Sequence, residues 1–113
     1  MSNIISYKEF ESVDIRVGTI ISAEANLKLN NPSIILKIDF GEKIGVKKSS
    51  AKLIKNYQPK DLINKQIAAV VNFESKQIGN LISEVLVLGF PDTSNEPILI
   101  EPNKMIPNGG KLF

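Results

Sequence analysis

The sequence predicts a single all-β domain, and three observations lead to that prediction. The chain has 113 residues, 42% of them apolar, a length that suits one hydrophobic core and one domain over residues 1–113. Apolar and polar residues alternate in several short runs, which is typical of half-buried strands. Turn-forming residues, including 7 Gly and 6 Pro, separate those runs, so only short helices have room.

The N-terminal segment predicts a short helix. Ser6 can cap it, and Glu9, three residues later, completes a capping box. Tyr7 and Phe10 are spaced so that both rings lie on one apolar surface.

A first strand follows the helix. Val13, Ile15 and Val17 alternate with polar or small residues, as in a half-buried strand. Gly18 inside this run predicts a bulge or sharp bend, which small barrels need where a strand turns a corner. Residues 28–33 have the composition of a turn.

The next run gives the clearest strand in the chain. Its alternate residues form one apolar face: Ile34, Leu36, Ile38 and Phe40. Residues 41–43 then predict a tight link into a second strand at 44–47, so the two strands form a hairpin. A helical turn is expected over Ser49–Ile54, and another turn or short helix over Pro59–Leu62.

The C-terminal half predicts further strands. In the run over residues 66–73, the inward side chains are expected to be Ile67, Ala69, Val71 and Phe73. Residues 81–90 are apolar on both faces in their second half, which indicates a covered outer surface or a partner chain. A short strand at 98–100 precedes a tail rich in Pro, Asn and Gly over 102–110.

Together these elements predict a five-stranded Greek-key barrel of the oligonucleotide-binding (OB) type, with a short N-terminal helix and a C-terminal extension. A β-sandwich is the alternative, although it usually needs about seven strands.

The composition excludes several classes of chemistry. The chain has no Cys, no His and no Trp, so it cannot form a disulfide, a thiolate metal site or a Ser-His-Asp triad. A catalytic lysine or Ser–Lys dyad would need a desolvated lysine, and the lysines cluster instead. We expect a binding protein with no enzymatic activity, no cofactor and no metal.

The charge is nearly balanced overall but uneven along the chain. The formal net charge is +2, yet seven of the thirteen lysines lie between Lys43 and Lys65 with one acidic residue, Asp61. A basic stretch of this kind attracts a polyanion, such as nucleic acid or an acidic membrane. The alternative is a solvated lysine face, which is the commoner meaning of such a run of lysines. The N-terminus shows no signal peptide, and no apolar run is long enough to span a membrane, so we expect a soluble cytoplasmic protein.

Five sequence fragments form a recognisable series. They are DIRVGTI (14–20), GVKKSSA (45–51), VVNF (70–73), SEVLVLG (83–89) and PNG (107–109). In this order the chain resembles the tRNA-binding domain family, which includes domains appended to aminoacyl-tRNA synthetases, and most closely its stand-alone CsaA-type members. The resemblance implies an OB-fold, a homodimer, tRNA binding and no catalysis. For the CsaA type it also implies a chaperone role in protein export.

The resemblance and the residue chemistry together indicate a binding site for RNA or peptide. Its expected members are Lys47, Lys48, Ser49, Ser50, Asn72, Lys76 and Ser83. Three of them have a structural alternative: Ser49 could cap a helix, the Asn72 amide could pair with a neighbouring loop, and Lys76 could be a solvated loop lysine. Glu84 is expected to accept a hydrogen bond from a backbone amide or to pair with a cation such as Arg16, because a carboxylate repels phosphate.

Two positions depart from the family pattern. The family usually has Pro-Arg where this chain has Ser75-Lys76, and a small residue where it has Asn80. Lysine keeps the charge but loses the bidentate geometry of arginine. Tyr57 is the one aromatic residue expected to stack on a base, so recognition of RNA shape is favoured over base-by-base contacts.

Two functions therefore remain open. The first is tRNA binding by a homodimer built from the N-terminal helix, residues 85–88 and the tail. The second is binding of unfolded preproteins, with a translocation motor as a further partner, in apolar grooves near Phe73, Ile78 and Leu81. No insertion into a membrane is expected in either case.

Overall fold

A five-stranded antiparallel sheet, curled into a half-barrel, organises this computed structural model, which describes residues 3–27 and 32–113. In chain order the elements are α1 (Tyr7–Glu11), β1 (Ile15–Asn26), β2 (Ser33–Asp39), β3 (Val46–Ala51), α2 (Pro59–Leu62), β4 (Gln66–Val70), β5 (Lys76–Ile78), β6 (Leu81–Ser83), β7 (Leu86–Val87), β8 (Gly89–Pro91) and β9 (Pro97–Leu99). The sheet has the order β3-β2-β1-β4-β7, and β5–β6 and β8–β9 form separate two-stranded ribbons. The predicted all-β, OB-like barrel with a short N-terminal helix is confirmed.

The capping box predicted for α1 is present. Ser6 Oγ accepts a hydrogen bond from the Glu9 backbone N–H at 3.1 Å, and the Ser6 N–H donates to Glu9 Oε1 at 3.0 Å. The rings of Tyr7 and Phe10 lie 6.2 Å apart between centroids. No residue of this helix is buried, so local capping rather than core packing defines it.

β1 is long because it pairs with different strands along its length. Residues 15–19 pair with β4 and residues 19–26 with β2, and the ladder to β2 is irregular between Ile20 and Ser22. The bulge expected at Gly18 therefore lies further along the strand. Gly18 is needed for space: a Cβ there would lie 2.7 Å from both Ile38 Cγ2 and Phe40 Cδ1. The turn expected at residues 28–33 falls largely outside the described residues, which omit 28–31.

The predicted apolar face of β2 forms the centre of the core. Ile34, Leu36 and Ile38 are fully buried and Phe40 is 1% exposed. They pack in one cluster with Ile20, Leu53, Leu62, Ile67 and others. Burial of each such side chain contributes about 1.5–3 kcal/mol relative to exposure, so this face of the hairpin drives folding.

Three further sequence expectations are wrong. Ser49–Ile54 does not begin with a helical turn, because β3 pairs with β2 from Asp39↔Val46 to Ile34↔Ala51 and this ladder outweighs local capping by serine. Phe73 is 56% exposed, because β4 ends at Val70. Residues 81–90 do not form one strand doubly covered by neighbours; they divide into β6, β7 and β8, with Val85 buried and Leu86 half exposed.

The C-terminal extension is held against β1. The Gly109 N–H donates to the Val17 carbonyl and the Leu112 N–H to the Ile15 carbonyl, both at 2.8 Å. Gln66, buried at the start of β4, donates through Nε2 to the Ile106 carbonyl at 2.6 Å and accepts from the Ile106 N–H at 3.0 Å. These bonds satisfy a buried amide that would otherwise be costly.

Among the described residues, none of the helices has the length and hydropathy to cross a membrane.

Candidate nucleic-acid interface

The barrel is closed between β3 and the segment that joins β6 to β7. The Glu84 N–H donates to the Lys48 carbonyl at 2.8 Å, and Glu84 Oε1 accepts the Lys48 N–H at 3.0 Å. Ser83 Oγ accepts the Ser50 N–H at 3.1 Å. Two side-chain oxygens, Glu84 Oε1 and Ser83 Oγ, therefore accept the backbone N–H groups of β3 that the carbonyls of a neighbouring strand would accept in a regular sheet. We call these contacts between Lys48, Ser50, Ser83 and Glu84 the closure.

The closure decides what the predicted serines do. Ser49 is 1% exposed and donates through Oγ to the Val85 carbonyl at 3.1 Å. Ser83 is buried, and Ser50 Oγ donates to Ser33 Oγ at 2.9 Å. Ser49 and Ser83 both contact the Val85 carbonyl, whereas the Ser50 hydroxyl lies on the other face of β3, and each of the three hydroxyls already has a partner within the protein. Neither Ser49 nor Ser50 caps a helix, since both are strand residues.

Glu84 and Arg16 do not pair with each other. Of the two partners expected for Glu84, the backbone amide is present, in the Lys48 N–H. Arg16, the one arginine of the chain, lies 2.6 Å from Asp14 Oδ1 through Nε and donates through Nη1 to the Gly109 carbonyl at 2.9 Å. Its guanidinium therefore fastens the tail to the start of β1.

The two adjacent lysines of β3 lie on opposite faces of the strand. Lys47 is opposite Ile38, a core residue, and is partly buried, whereas Lys48 is opposite Lys37 and both are exposed. Lys37 is absent from the site residues predicted from the sequence, because only the pairing of β2 with β3 shows that it lies opposite Lys48. The signal available in the sequence was its place on the polar face of the clearest strand.

Asn72 lies just beyond β4, on an exposed part of the surface. Its Oδ1 accepts the Asp14 N–H at 3.0 Å, and its Nδ2 donates to the Ser12 carbonyl at 2.8 Å. The amide thus joins the end of β4 to the link between α1 and β1. This is the loop-pairing alternative considered above, and it occupies one donor and one acceptor of the side chain.

Lys76 begins β5 and lies at the rim of a groove of about 510 Å³. Lys52, Glu74 and Glu84 also line the rim, and the apolar lining includes Phe73, Ile78, Leu86 and Leu99. Ser50 and Ser83 lie in the same lining, so the groove brings Lys76 and the closure together. Asn72 and Lys47 are not part of it.

Tyr57 is not available as a stacking platform. Its hydroxyl accepts the Leu99 N–H at 3.0 Å, and its ring packs against the core. The aromatic side chains most exposed to solvent are instead Tyr7, Phe73, Phe90 and Phe113.

One carboxyl group has a clearly shifted pKa. Asp92, in the turn between β8 and β9, accepts hydrogen bonds from Asn56 Nδ2 and from the backbone N–H groups of Ser94 and Glu96. These bonds lower the pKa of Asp92 below its ordinary value, and the bond from Asn56 has the largest effect. Its role is to order the turn. Among the described residues, no group of acidic side chains is arranged to hold a metal ion.

Comparison with known proteins gives consistent matches. The family model for the tRNA binding domain matches residues 15–111. The crystal structure of the chaperone CsaA from Bacillus anthracis is 43% identical with a TM-score of 0.90, and the match covers 98% of this chain and all of that one. The CsaA chaperone from Picrophilus torridus is 46% identical with a TM-score of 0.88, over 97% of this chain and all of that one.

Curated relatives also include much longer proteins. The methionine–tRNA ligase of Methanococcoides burtonii is 34% identical over 102 residues, which is 90% of this chain. The chain spans only 15% of the length of that ligase, so the match concerns one part of a larger enzyme.

Proposed function

Because the chain belongs to the tRNA-binding domain family, we propose that it binds tRNA without catalysis, through phosphate contacts at a lysine-rich face. The observation that carries this proposal is which cations have a carboxylate partner and which do not. In the part of the chain that the structure describes, Arg16 and Lys65 are the cations within ion-pair distance of a carboxylate. Lys47 and Lys48, on opposite faces of β3, and Lys76, at the start of β5, are thus not engaged with a carboxylate.

The type of cation suggests how RNA is recognised. Lysine offers a point charge without the planar fork of arginine, and Arg16 is engaged with Asp14 and Gly109. Contacts from lysines alone position a phosphate backbone but read no base. We therefore propose that the protein recognises the charge and shape of folded tRNA in the cytoplasm. Ser49, Ser50, Asn72 and Ser83 support this face through the bonds described above.

We also propose a homodimer formed by α1, residues 85–88 and the tail. The exposed apolar side chains of these parts support it, because Tyr7, Leu86 and Met105 are each at least 50% exposed. A second groove, of about 520 Å³, lies between the start of β1 and the tail and is lined by Ile15, Val17, Ile106 and Leu112 among others. Exposed apolar surface of this kind is typical of protein interfaces. Sedimentation showing a monomer at micromolar concentration would overturn this proposal.

A salt series tests the tRNA proposal. Affinity for tRNA should fall steeply with salt, because each neutralised phosphate releases counterions. Lys47→Glu and Lys76→Glu should abolish binding, whereas Lys60→Glu should have a small effect. Lys60 makes a fair control because it is exposed, belongs to the same lysine-rich stretch of sequence and lies in α2, away from β3 and β5. Absence of binding by the wild type at low salt would overturn the proposal.

The groove beside Lys76 favours one alternative function, binding of unfolded preproteins for export, with a translocation motor as partner. Its apolar lining includes Phe73 and Ile78, two of the residues expected to contact a peptide. Binding of an extended apolar peptide should depend little on salt, since burial of apolar surface drives it. Phe73→Ala should then weaken peptide binding. Salt-insensitive binding of unfolded polypeptide, together with no affinity for tRNA, would favour this alternative.

A further inference from the structure

Two lysines face each other on the outer surface of the β2–β3 hairpin. The ladder pairs Lys37 with Lys48 directly, and both side chains are exposed. On the same row, Ser22 of β1 lies opposite Lys37, while Glu84 bonds to the backbone of Lys48 from the other side. Lys47, one residue earlier in β3, belongs to the opposite face with buried Ser49.

This arrangement is unfavourable for the protein alone. Cβ atoms of directly opposed residues in an antiparallel pair lie about 4.5–5.5 Å apart, and like charges at such positions destabilise a sheet. Over residues 3–27 and 32–113, no carboxylate lies within ion-pair distance of either ammonium group. Glu84 directs one carboxylate oxygen to the Lys48 backbone N–H, and Asp39 directs one to the Gly41 N–H. The repulsion is therefore left without an internal counter-ion.

We infer that Lys37 and Lys48 form a clamp for one backbone phosphate of RNA on the outer face of β2–β3. The single negative charge of a phosphodiester between the two ammonium groups would attract both and offset much of their mutual repulsion, which turns a repulsive pair into a binding element. The inference rests on the proposed tRNA binding and adds Lys37 to it. It also distinguishes the neighbouring lysines, because Lys48 belongs to the clamp and Lys47 does not.

The surroundings favour a phosphodiester of a polymer over a free anion. The two lysines lie on an open strand surface, and neither lines the groove beside Lys76 or the one beside the tail. A single phosphate on an exposed site is weakly held, whereas a polyanion that also contacts other lysines is retained by the sum of its contacts. Inorganic phosphate should therefore displace RNA no better than chloride does at equal ionic strength.

The clamp can be tested with Lys37→Gln, Lys48→Gln and the double variant, with Lys60→Gln as the matched control. The slope of log affinity against log salt is negative, and loss of about one phosphate contact makes it shallower by about 0.7–0.9. Dilution from 200 to 50 mM salt should then strengthen tRNA binding about threefold less in the double variant than in the wild type, whereas each single variant keeps one lysine on the phosphate and most of the slope. Lys60→Gln should keep the wild-type slope.

A second measurement needs no RNA. If the pair is repulsive, each single glutamine variant should have a thermal midpoint equal to or above that of the wild type. The double variant should gain nothing beyond the better single one, because one substitution already removes the repulsion. A midpoint lowered by either substitution would overturn the repulsive pair.

The outcomes separate the clamp from the function on which it rests. If the wild type binds tRNA but the double variant binds it with the same salt slope as Lys60→Gln, the clamp is wrong and tRNA binding stands. If the wild type does not bind tRNA at about 50 mM salt, the proposed function fails and the clamp fails with it. Displacement by inorganic phosphate far beyond the effect of chloride would show a free-anion site and overturn the assignment to RNA.

Discussion

Replacement of Ser83 by Ala is the sharpest test of how the barrel closes. Ser83 is 8% exposed, and its Oγ accepts the Ser50 N–H at 3.1 Å. Its second contact, to the Val85 carbonyl, is 3.5 Å long and contributes little. Ser83→Ala therefore removes essentially one interaction, the acceptor for a backbone N–H of β3.

The expected cost follows from the position of that N–H. A buried donor left without an acceptor costs about 1–3 kcal/mol, and Ser50 is only partly buried, so water can replace some of the lost bond. We expect a loss of about 1–2 kcal/mol in the free energy of unfolding. With a urea m-value of about 2 kcal/mol/M, in the middle of the range for small proteins, the unfolding midpoint should fall by roughly 0.5–1 M.

Urea unfolding followed by far-ultraviolet circular dichroism measures this midpoint, since the chain has no Trp for fluorescence. Ser94→Ala is the matched control, because Ser94 is exposed and bonds to Asp92 through its backbone N–H. Affinity of folded Ser83→Ala for tRNA should stay within about twofold of the wild type, as expected of a change that touches no ligand. An unchanged midpoint combined with a tenfold loss of tRNA affinity would refute this account and make Ser83 a contact residue.

Two further predictions follow from local geometry. Gly18→Ala should lower the free energy of unfolding by about 1–3 kcal/mol, because its Cβ would lie 2.7 Å from buried Ile38 and Phe40; a midpoint in urea equal to that of the wild type would contradict the close packing. Asp92→Asn should destabilise the protein at neutral pH and progressively less in acid. The folded-state pKa of Asp92 is lowered, so its carboxylate stabilises the fold above its unfolded pKa and this contribution is lost as the pH falls through the folded value. Urea midpoints of both proteins measured from pH 7 down to pH 3 should converge, and a constant difference would contradict the argument.

The sequence was sufficient for elements that depend on near neighbours. The alternation of Ile34, Leu36, Ile38 and Phe40 predicted the buried face of β2, and the spacing of Ser6 and Glu9 predicted the capping box of α1. Both patterns act within a few residues, so they survive whatever the rest of the chain does. The lysine-rich stretch and the five family fragments were likewise visible without coordinates.

The candidate site depended on contacts between distant segments. Ser49 reads locally as a helix cap, but pairing of β3 with β2 makes it a buried strand residue bonded to Val85. Ser83 and Glu84 bond to Ser50 and Lys48, more than thirty positions earlier in the chain. Tyr57 reads as a free aromatic residue, yet it accepts a hydrogen bond from Leu99. No local pattern records these partners.

The register of the β2–β3 hairpin decided on which face of the sheet each lysine of β3 lies. A three-residue link over 41–43 would have placed Lys47 opposite Lys37, but the turn runs from Gly41 to Gly45, both at positive φ, and places Lys48 there instead. Side chains alternate along a strand, so a shift of one residue moves every side chain of β3 to the other face. The order of residues along the chain thus determined that seven lysines are concentrated between Lys43 and Lys65. Only the tertiary fold, through that register, determined which of its lysines face solvent as a pair.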